Sequence, residues 1–169
     1  MRKDQIFFFC LLLTGLVGSG KESFAGSVSA SLTVKATVVR SCSLATTPLV
    51  FGAYDPVGSN ASADLRASTN VTVVCSPGAT PTISVGSGSN TAGAGTTRAM
   101  SSGSDKLSYQ IYKDSGLTQA WTDSGSGVLN LGTVRSALPQ TVPVYGRIPA
   151  GQNVSDGGYS DTVTVTINF

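Results

Sequence analysis

Ser27-Val28-Ser29-Ala30-Ser31-Leu32-Thr33-Val34-Lys35-Ala36-Thr37-Val38 carries an apolar residue at every even position and a polar one at every odd position. The far end repeats the pattern in the opposite parity: Thr162-Val163-Thr164-Val165-Thr166-Ile167-Asn168-Phe169 is apolar at its odd positions. Alternation with period two marks a strand with one dry face and one wet face. Two such strands, one towards each end of the chain, give a sheet with loose edges. An unpaired edge presents a row of free N–H and C=O groups, so it closes on its own sheet or takes a strand from elsewhere.

Between these ends no stretch of ten or more residues shows the 3.6 period of a helix. Short extended runs recur instead, separated by Gly, Pro, Ser and Asn. They predict strands over 28–44, 69–75, 80–86, 107–113, 128–134, 141–148 and 160–169. About seven strands in one domain predict an all-β sandwich. The segment 86–104 is mostly Gly, Ser, Thr and Ala. It is expected to be a long exposed loop or a frayed hairpin.

The first 25 residues read as a secretory signal. Arg2 and Lys3 give a basic start, offset by Asp4, and 6–17 is an apolar run of about twelve residues, too short to span a bilayer. Ser23-Phe24-Ala25 offers small residues at both recognition positions, so cleavage is expected after Ala25. Of the 11 Lys and Arg, Arg2, Lys3 and Lys21 leave with the signal; of the nine Asp and Glu, Asp4 and Glu22 leave, giving a net +1. No basic cluster remains in the sequence, which argues against nucleic acid or an anionic membrane as partner.

Cys10 lies inside the apolar run, so Cys42 and Cys75 are the cysteines of the exported chain. In an oxidising compartment they are expected to form one disulfide. Val71, Val73 and Cys75 share one face of their strand, and Cys42 shares the even-numbered face of Val34, Ala36 and Val38. A bridge between them would tie the first strand to the second. The chain contains no His, which removes the usual zinc ligand and the imidazole base of Ser–His–Asp or Cys–His catalysis.

Other motifs are weak. Gly15-Leu16-Val17-Gly18-Ser19-Gly20-Lys21-Glu22 almost spells a phosphate-binding loop, but Glu22 stands where a magnesium-ligating Ser or Thr is needed, and the run lies in the signal. Ser102 and Ser104 near Lys106 form a nominal Ser–Lys pair beside a Gly-Ser loop. Asp55, Asp64, Asp105, Asp114, Asp123, Asp156 and Asp161 are scattered and mostly neighbour turn residues, so they read as turn formers. The single Trp121 reads as core or as a hairpin cover, rather than as a sugar platform. Asn60-Ala61-Ser62, Asn70-Val71-Thr72 and Asn153-Val154-Ser155 match the glycosylation triplet, a cheap match in this composition. The expectation is no enzyme, no cofactor, no metal and no small-molecule substrate.

Tyr109-Gln110-Ile111-Tyr112-Lys113-Asp114, Trp121, Tyr145-Gly146-Arg147-Ile148-Pro149-Ala150-Gly151-Gln152 and Gly158-Tyr159-Ser160-Asp161 running into the terminal alternating strand closely resemble the spore coat protein U domain. That family includes the pilins of the archaic chaperone–usher pathway. The resemblance covers nearly all of the exported chain, with Cys42 and Cys75 in matching places. It implies an incomplete immunoglobulin-like β-sandwich completed by a donor strand from another chain. A periplasmic chaperone would first lend a strand, and an outer-membrane usher would exchange it for the N-terminal strand of the next subunit. Val28, Ala30, Leu32 and Val34 are then the donor face. Val163, Val165, Ile167 and Phe169 are the wall of the acceptor groove and the chaperone-binding strand, whose terminal carboxylate anchors in the chaperone cleft.

The expected organisation is therefore a signal peptide over 1–25, a donor strand over 26–35 and a pilin sandwich over 36–169, with Val38-Val39 breaking the alternation where donor passes into domain. The expected function is a structural subunit of a surface pilus, serving adhesion and biofilm formation, with neighbouring subunits as partners in a homo- or heteropolymer. The alternative is a secreted spore-coat or matrix protein of the same fold. A sugar-binding sandwich ranks third.

Overall fold

The computed structural model describes residues 25–92 and 97–169. The expected signal peptide lies outside the described residues except for Ala25. The chain divides between Thr37 and Val38 into two units. In the first, 25–37 carry no regular secondary structure, and every side chain is exposed, Val28 at 100%, Leu32 at 87% and Val34 at 84%.

The second unit is built from eight strands: β1 (Cys42–Thr46), β2 (Leu65–Cys75), β3 (Thr82–Val85), β4 (Arg98–Ser102), β5 (Asp105–Tyr112), β6 (Leu129–Asn130), β7 (Gln140–Ile148) and β8 (Val165–Asn168). Two 3-10 turns, Ser59–Ala61 and Gly125–Gly127, are its helical elements among the described residues. The strands form a five-stranded sheet in the order β1-β2-β7-β5-β4 and a three-stranded sheet in the order β6-β3-β8, with every neighbouring pair antiparallel.

Alternation decides which faces meet. Val71, Val73 and Cys75 of β2, Leu107, Tyr109 and Ile111 of β5, and Val142, Val144 and Ile148 of β7 point into one core, where Ile83 and Val85 of β3 join them. Trp121 is fully buried, as expected, and its indole Nε1 donates to the Ile83 carbonyl at 3.0 Å. The donor is thereby satisfied in an otherwise apolar place.

Cys42 and Cys75 are bonded, and they are Cα partners in the register of β1 on β2. The bridge closes a separation of 33 residues. Loop-closure entropy puts its contribution at about 3–4 kcal/mol. Replacing both cysteines by Ser is expected to lower the free energy of urea unfolding by about that amount; an unchanged midpoint would show that β1 does not need the staple.

Two expected strands and one expected irregular stretch differ. The run over 28–44 is a strand only from Cys42 onwards. A strand needs a ladder partner, and β2 supplies one only as far as Cys75; the last contact is at Ser41, whose carbonyl accepts the Ser76 N–H at 2.8 Å. The run over 128–134 shortens to Leu129–Asn130, because Gly132 turns the chain at φ +70° and gives its N–H to Asn130 Oδ1 at 2.7 Å. The stretch 86–104, expected as a long exposed loop or a frayed hairpin, contains β4. That strand is made by its partner: Arg98–Ser102 pairs residue for residue with Asp105–Tyr109, and Arg98 and Ala99 are buried. Among the glycosylation triplets, Asn60 is only 4% exposed; its amide Nδ2 donates to the Ala63 carbonyl and its Oδ1 accepts the Asp55 N–H, both at 3.0 Å. It is a loop staple rather than an acceptor for a glycan.

Candidate functional site: an apolar cleft beside an open sheet edge

β8 pairs with β3 on one side and, among the described residues, with no strand on the other. The chain leading into it is fastened on the β3 side too: Gly86 N–H donates to Thr164 O and Ser89 N–H to Thr162 O, both at 2.9 Å. Ser160 bridges Ser101 of β4, which links the two sheets there. On the β1 side the chain leaves its strand at Thr46. Thr47 N–H reaches Asn70 O at 3.3 Å, and the backbone of 48–53 then joins no ladder among the described residues.

Between these two segments lies a cleft of about 1010 Å³, open to solvent. Val71, Tyr109, Ile111, Val144 and Ile148 reach it from the large sheet, Leu49 and Phe51 from the segment after β1, and Val163 and Val165 from the C-terminal strand. The lining is mostly hydrocarbon, with backbone polar groups along its margins.

Gly146 on β7 sets the shape of this lining. A Cβ there would lie 2.6 Å from the Phe51 ring and 2.7 Å from a Leu49 methyl. Only a residue without a side chain lets both groups settle onto β7, where Phe51 also meets Tyr109 edge-on, with centroids 6.2 Å apart and an interplanar angle of 64°. Gly146→Val is expected to lift Leu49 and Phe51, to cost about 1–3 kcal/mol by overpacking, and to narrow the cleft. Urea unfolding measures the first effect and binding of a peptide covering 26–38 the second. Full stability with full peptide binding would show that 48–53 adapts freely.

Asp161 holds the entrance to the C-terminal strand. Its Oδ1 accepts from Ser89 N–H (3.0 Å), Asn90 N–H (3.0 Å), Asn90 Nδ2 (3.1 Å) and its neighbour Thr162 N–H (2.9 Å). Its Oδ2 accepts the Tyr109 hydroxyl at 2.7 Å. Burial, and then that bond to the carboxylate, push the Tyr109 hydroxyl well above its ordinary pKa, so it stays a donor. Gly88, at φ +90°, allows Ser89 and Asn90 to turn their amides towards one oxygen. Gln152 plays a comparable part for the preceding loop, trading two bonds with the Ser108 backbone at 2.7 and 2.9 Å, as a strand neighbour would.

The expected site residues differ in their surroundings. Val163 and Val165 line the cleft; Ile167 is half-buried against the core, and Phe169 is half-exposed, outside the core cluster and the cleft. Val28, Ala30, Leu32 and Val34 lie exposed in the first unit. Nothing local in the sequence marks Leu49, Phe51, Gly146 or Asp161 for these roles. Gly146 and Asp161 stood inside the motifs that carry the family resemblance, but nothing local shows what they touch. No cluster of three or more His, Cys, Asp or Glu suited to a metal occurs among the described residues.

Comparison with known proteins agrees with this geometry. The Spore Coat Protein U domain profile matches residues 28–166. Protein U of Myxococcus xanthus is 38% identical over 159 residues, covering 86% of this chain and 87% of that protein. Among solved structures, a chaperone–tip adhesion subunit pre-assembly complex from the archaic chaperone–usher Csu pili of Acinetobacter baumannii superposes with a TM-score of 0.56 at 23% identity. The match covers 79% of this chain, which spans 40% of that solved chain, and the likeness is one of fold. Two sheets, an open edge and this neighbour bear out the expected immunoglobulin-like sandwich with a strand missing. A profile match over most of the chain, a relative sharing more than a third of its residues and a fold of the same kind place this protein in the Spore Coat Protein U domain family.

Proposed function

We propose that this chain is the structural subunit of a surface pilus, assembled by donor-strand exchange after export through the periplasm. The observation that carries the proposal is the cleft: apolar inside, flanked by an unpaired strand edge, and matched in character by the exposed alternating segment 28–38. The donor face is Val28, Ala30, Leu32 and Val34, and the acceptor wall is the C-terminal strand with Val163 and Val165. Burying Val28, Leu32 and Val34 is worth roughly 1.5–3 kcal/mol each, and each new ladder bond adds about 0.5–1.5 kcal/mol. Ordering about ten residues costs roughly 1–2 kcal/mol apiece. These sums are comparable, so the exposed hydrocarbon of an empty cleft tips the balance towards occupancy.

The partners in this reading are a periplasmic chaperone, which fills the cleft before assembly, an outer-membrane usher, and neighbouring subunits. The fold shared with a chaperone–subunit complex of Csu pili supports the first of these. Adhesion and biofilm formation are the roles proposed for the finished fibre. A second reading, a secreted spore-coat or matrix protein, is favoured by the family's description and by the likeness to Protein U.

Electrophoresis of cell-surface material in SDS without boiling separates the two. Donor-strand exchange gives a ladder of multimers that collapses to a single band on boiling and disappears when 26–35 are deleted. Surface protein that runs as a monomer without boiling would favour the coat reading.

A further inference from the structure

The outer face of the five-stranded sheet, away from the cleft, gathers charge that the sequence keeps apart. Arg66 of β2 and Arg147 of β7 are direct cross-strand partners, and Arg147 is partnered on its other side by Gln110 of β5. Like charges directly opposite one another destabilise a sheet. The neighbouring row runs Ser68–Tyr145–Tyr112. The Arg147 guanidinium lies 5.4 Å from the centre of the Tyr112 ring, and its Nε is buried without a hydrogen-bond partner. An orphaned buried donor carries its own cost.

The carboxylates nearby do not balance the pair. Asp64 is 3.7 Å from Arg147 and also accepts the Ala150 N–H at 3.0 Å. Asp114 is taken up by its own loop, accepting Thr118 N–H at 3.1 Å and Gln119 N–H at 2.7 Å. The Arg66 side chain is exposed and has no hydrogen bond or ion pair among the described residues.

Beside the arginines is a shallow cleft of about 270 Å³, lined by Arg66, Ser68, Ser115, Leu117 and Tyr145. Its loop wall is built at a cost: Leu117 sits at φ +57°, a conformation unfavourable for a Leu, and Asp114 holds it there through the bond from Leu117 N–H to its carbonyl at 3.1 Å. One forked cation, Arg66, two serine hydroxyls and the Tyr145 ring thus line a space of small-ligand size, and Arg147 stands beside it as the cross-strand partner of Arg66.

We propose that this face binds a carboxylated sugar unit of an acidic polysaccharide. The carboxylate would accept from Arg66 and the exposed end of Arg147, relieving their repulsion by charge-assisted bonds. The sugar ring would lie by Tyr145, with Ser68 and Ser115 in reach of its hydroxyls. An isolated pair of guanidiniums fits one carboxylate, whereas a polyphosphate backbone needs a stripe of cations that the exported chain's net +1 does not furnish. The site is independent of strand exchange, because it lies on the opposite face of the sheet from the apolar cleft.

Calorimetric titration of the full secreted chain with trigalacturonate at low salt tests this. Saturable binding is expected, weakening as salt rises. Arg66→Gln is expected to weaken it about 10-fold or more, the loss of one strong charge-assisted contact; Tyr145→Ala should weaken it too, while Arg135→Gln, an exposed cation elsewhere, should not. The multimer ladder of Arg66→Gln should match wild type, which separates this site from assembly. Unchanged affinity in Arg66→Gln, or equal binding of the trisaccharide methyl ester, overturns the proposal. So does self-association that Arg66→Gln abolishes in the absence of any uronate binding, which would assign the pair to a carboxylate of a second copy.

Discussion

Leu32→Asp is expected to abolish the multimer ladder while leaving the domain folded. Leu32 is 87% exposed, so the substitution removes little native packing. Its effect comes on assembly. Under the proposed donor-strand exchange the side chain enters the apolar cleft, whose lining includes Val71, Val144 and Ile148 and no cation to pair with a carboxylate. An unpaired charge taken out of water costs several kcal/mol, more than the roughly 1.5–3 kcal/mol that the leucine would have contributed. Ser31→Asp, one residue away, places the same charge on the wet face and is expected to leave most of the ladder. Unboiled gels of surface material from the two strains compare them directly. Equal losses would mean that the donor register is not the one read from the alternation.

Arg98→Leu is expected to cost about 3–5 kcal/mol of folding stability, a large part of what a domain this size possesses. Arg98 is 2% exposed. Its guanidinium donates to the carbonyls of Gly86 (2.8 Å), Val85 (2.8 Å) and Trp121 (2.7 Å) and to Gln110 Oε1 (3.2 Å). Burial pushes its pKa below the usual guanidinium value, against the opposing pull of Tyr109, Asp123 and Asp161. One side chain thus ties β4 to the end of β3, to the strand-like run at Trp121 and to β5. Leucine fills the volume but leaves two buried carbonyls and one part-buried carbonyl short of a donor, at about 1–3 kcal/mol for each buried one before relaxation. Lysine would recover less than half of the loss, since a single ammonium cannot reproduce a planar fork of donors. Urea unfolding of the two variants, together with their secreted yield, measures this. A cost below about 1 kcal/mol for Leu would show that water replaces the guanidinium.

The parts legible beforehand share one property. Val163 to Ile167, Val71 to Cys75 and Val142 to Ile148 alternate, and alternation is a local signal of which face is dry. The Cys42–Cys75 pair followed from cysteine arithmetic in an oxidising compartment, and Trp121 from the tendency of a lone Trp in a sandwich to lie in the core or cover a hairpin. The family resemblance added the missing strand, and the open edge of β8 agrees with it. The run over 28–41 shows where such reading stops. Its alternation is perfect up to Val38, yet strand begins only at Cys42, because the pattern records a preference for a half-buried face and says nothing about which backbone will pair with it.

The rest depended on positions far apart in the chain. β4 was hidden because Arg98-Ala99-Met100 has no period-two pattern; its strand character comes from β5, and its buried arginine is tolerable only because carbonyls from Val85, Gly86 and Trp121 converge on it. Asp161 read as a turn former until the fold set the amides of Ser89 and Asn90 and the hydroxyl of Tyr109 around it. Gly146 became a shape determinant only once Leu49 and Phe51 crossed it, and Arg66 became half of a charge pair only when β2 lay beside β7. Local order thus set strand faces, the staple and the unsatisfied edge, because a side chain's preference for water or hydrocarbon is carried by each residue. The cleft, the clamp and the paired arginines arose from register and crossing, because hydrogen bonds, excluded volume and charge act between whichever groups the folded chain brings within a few ångströms.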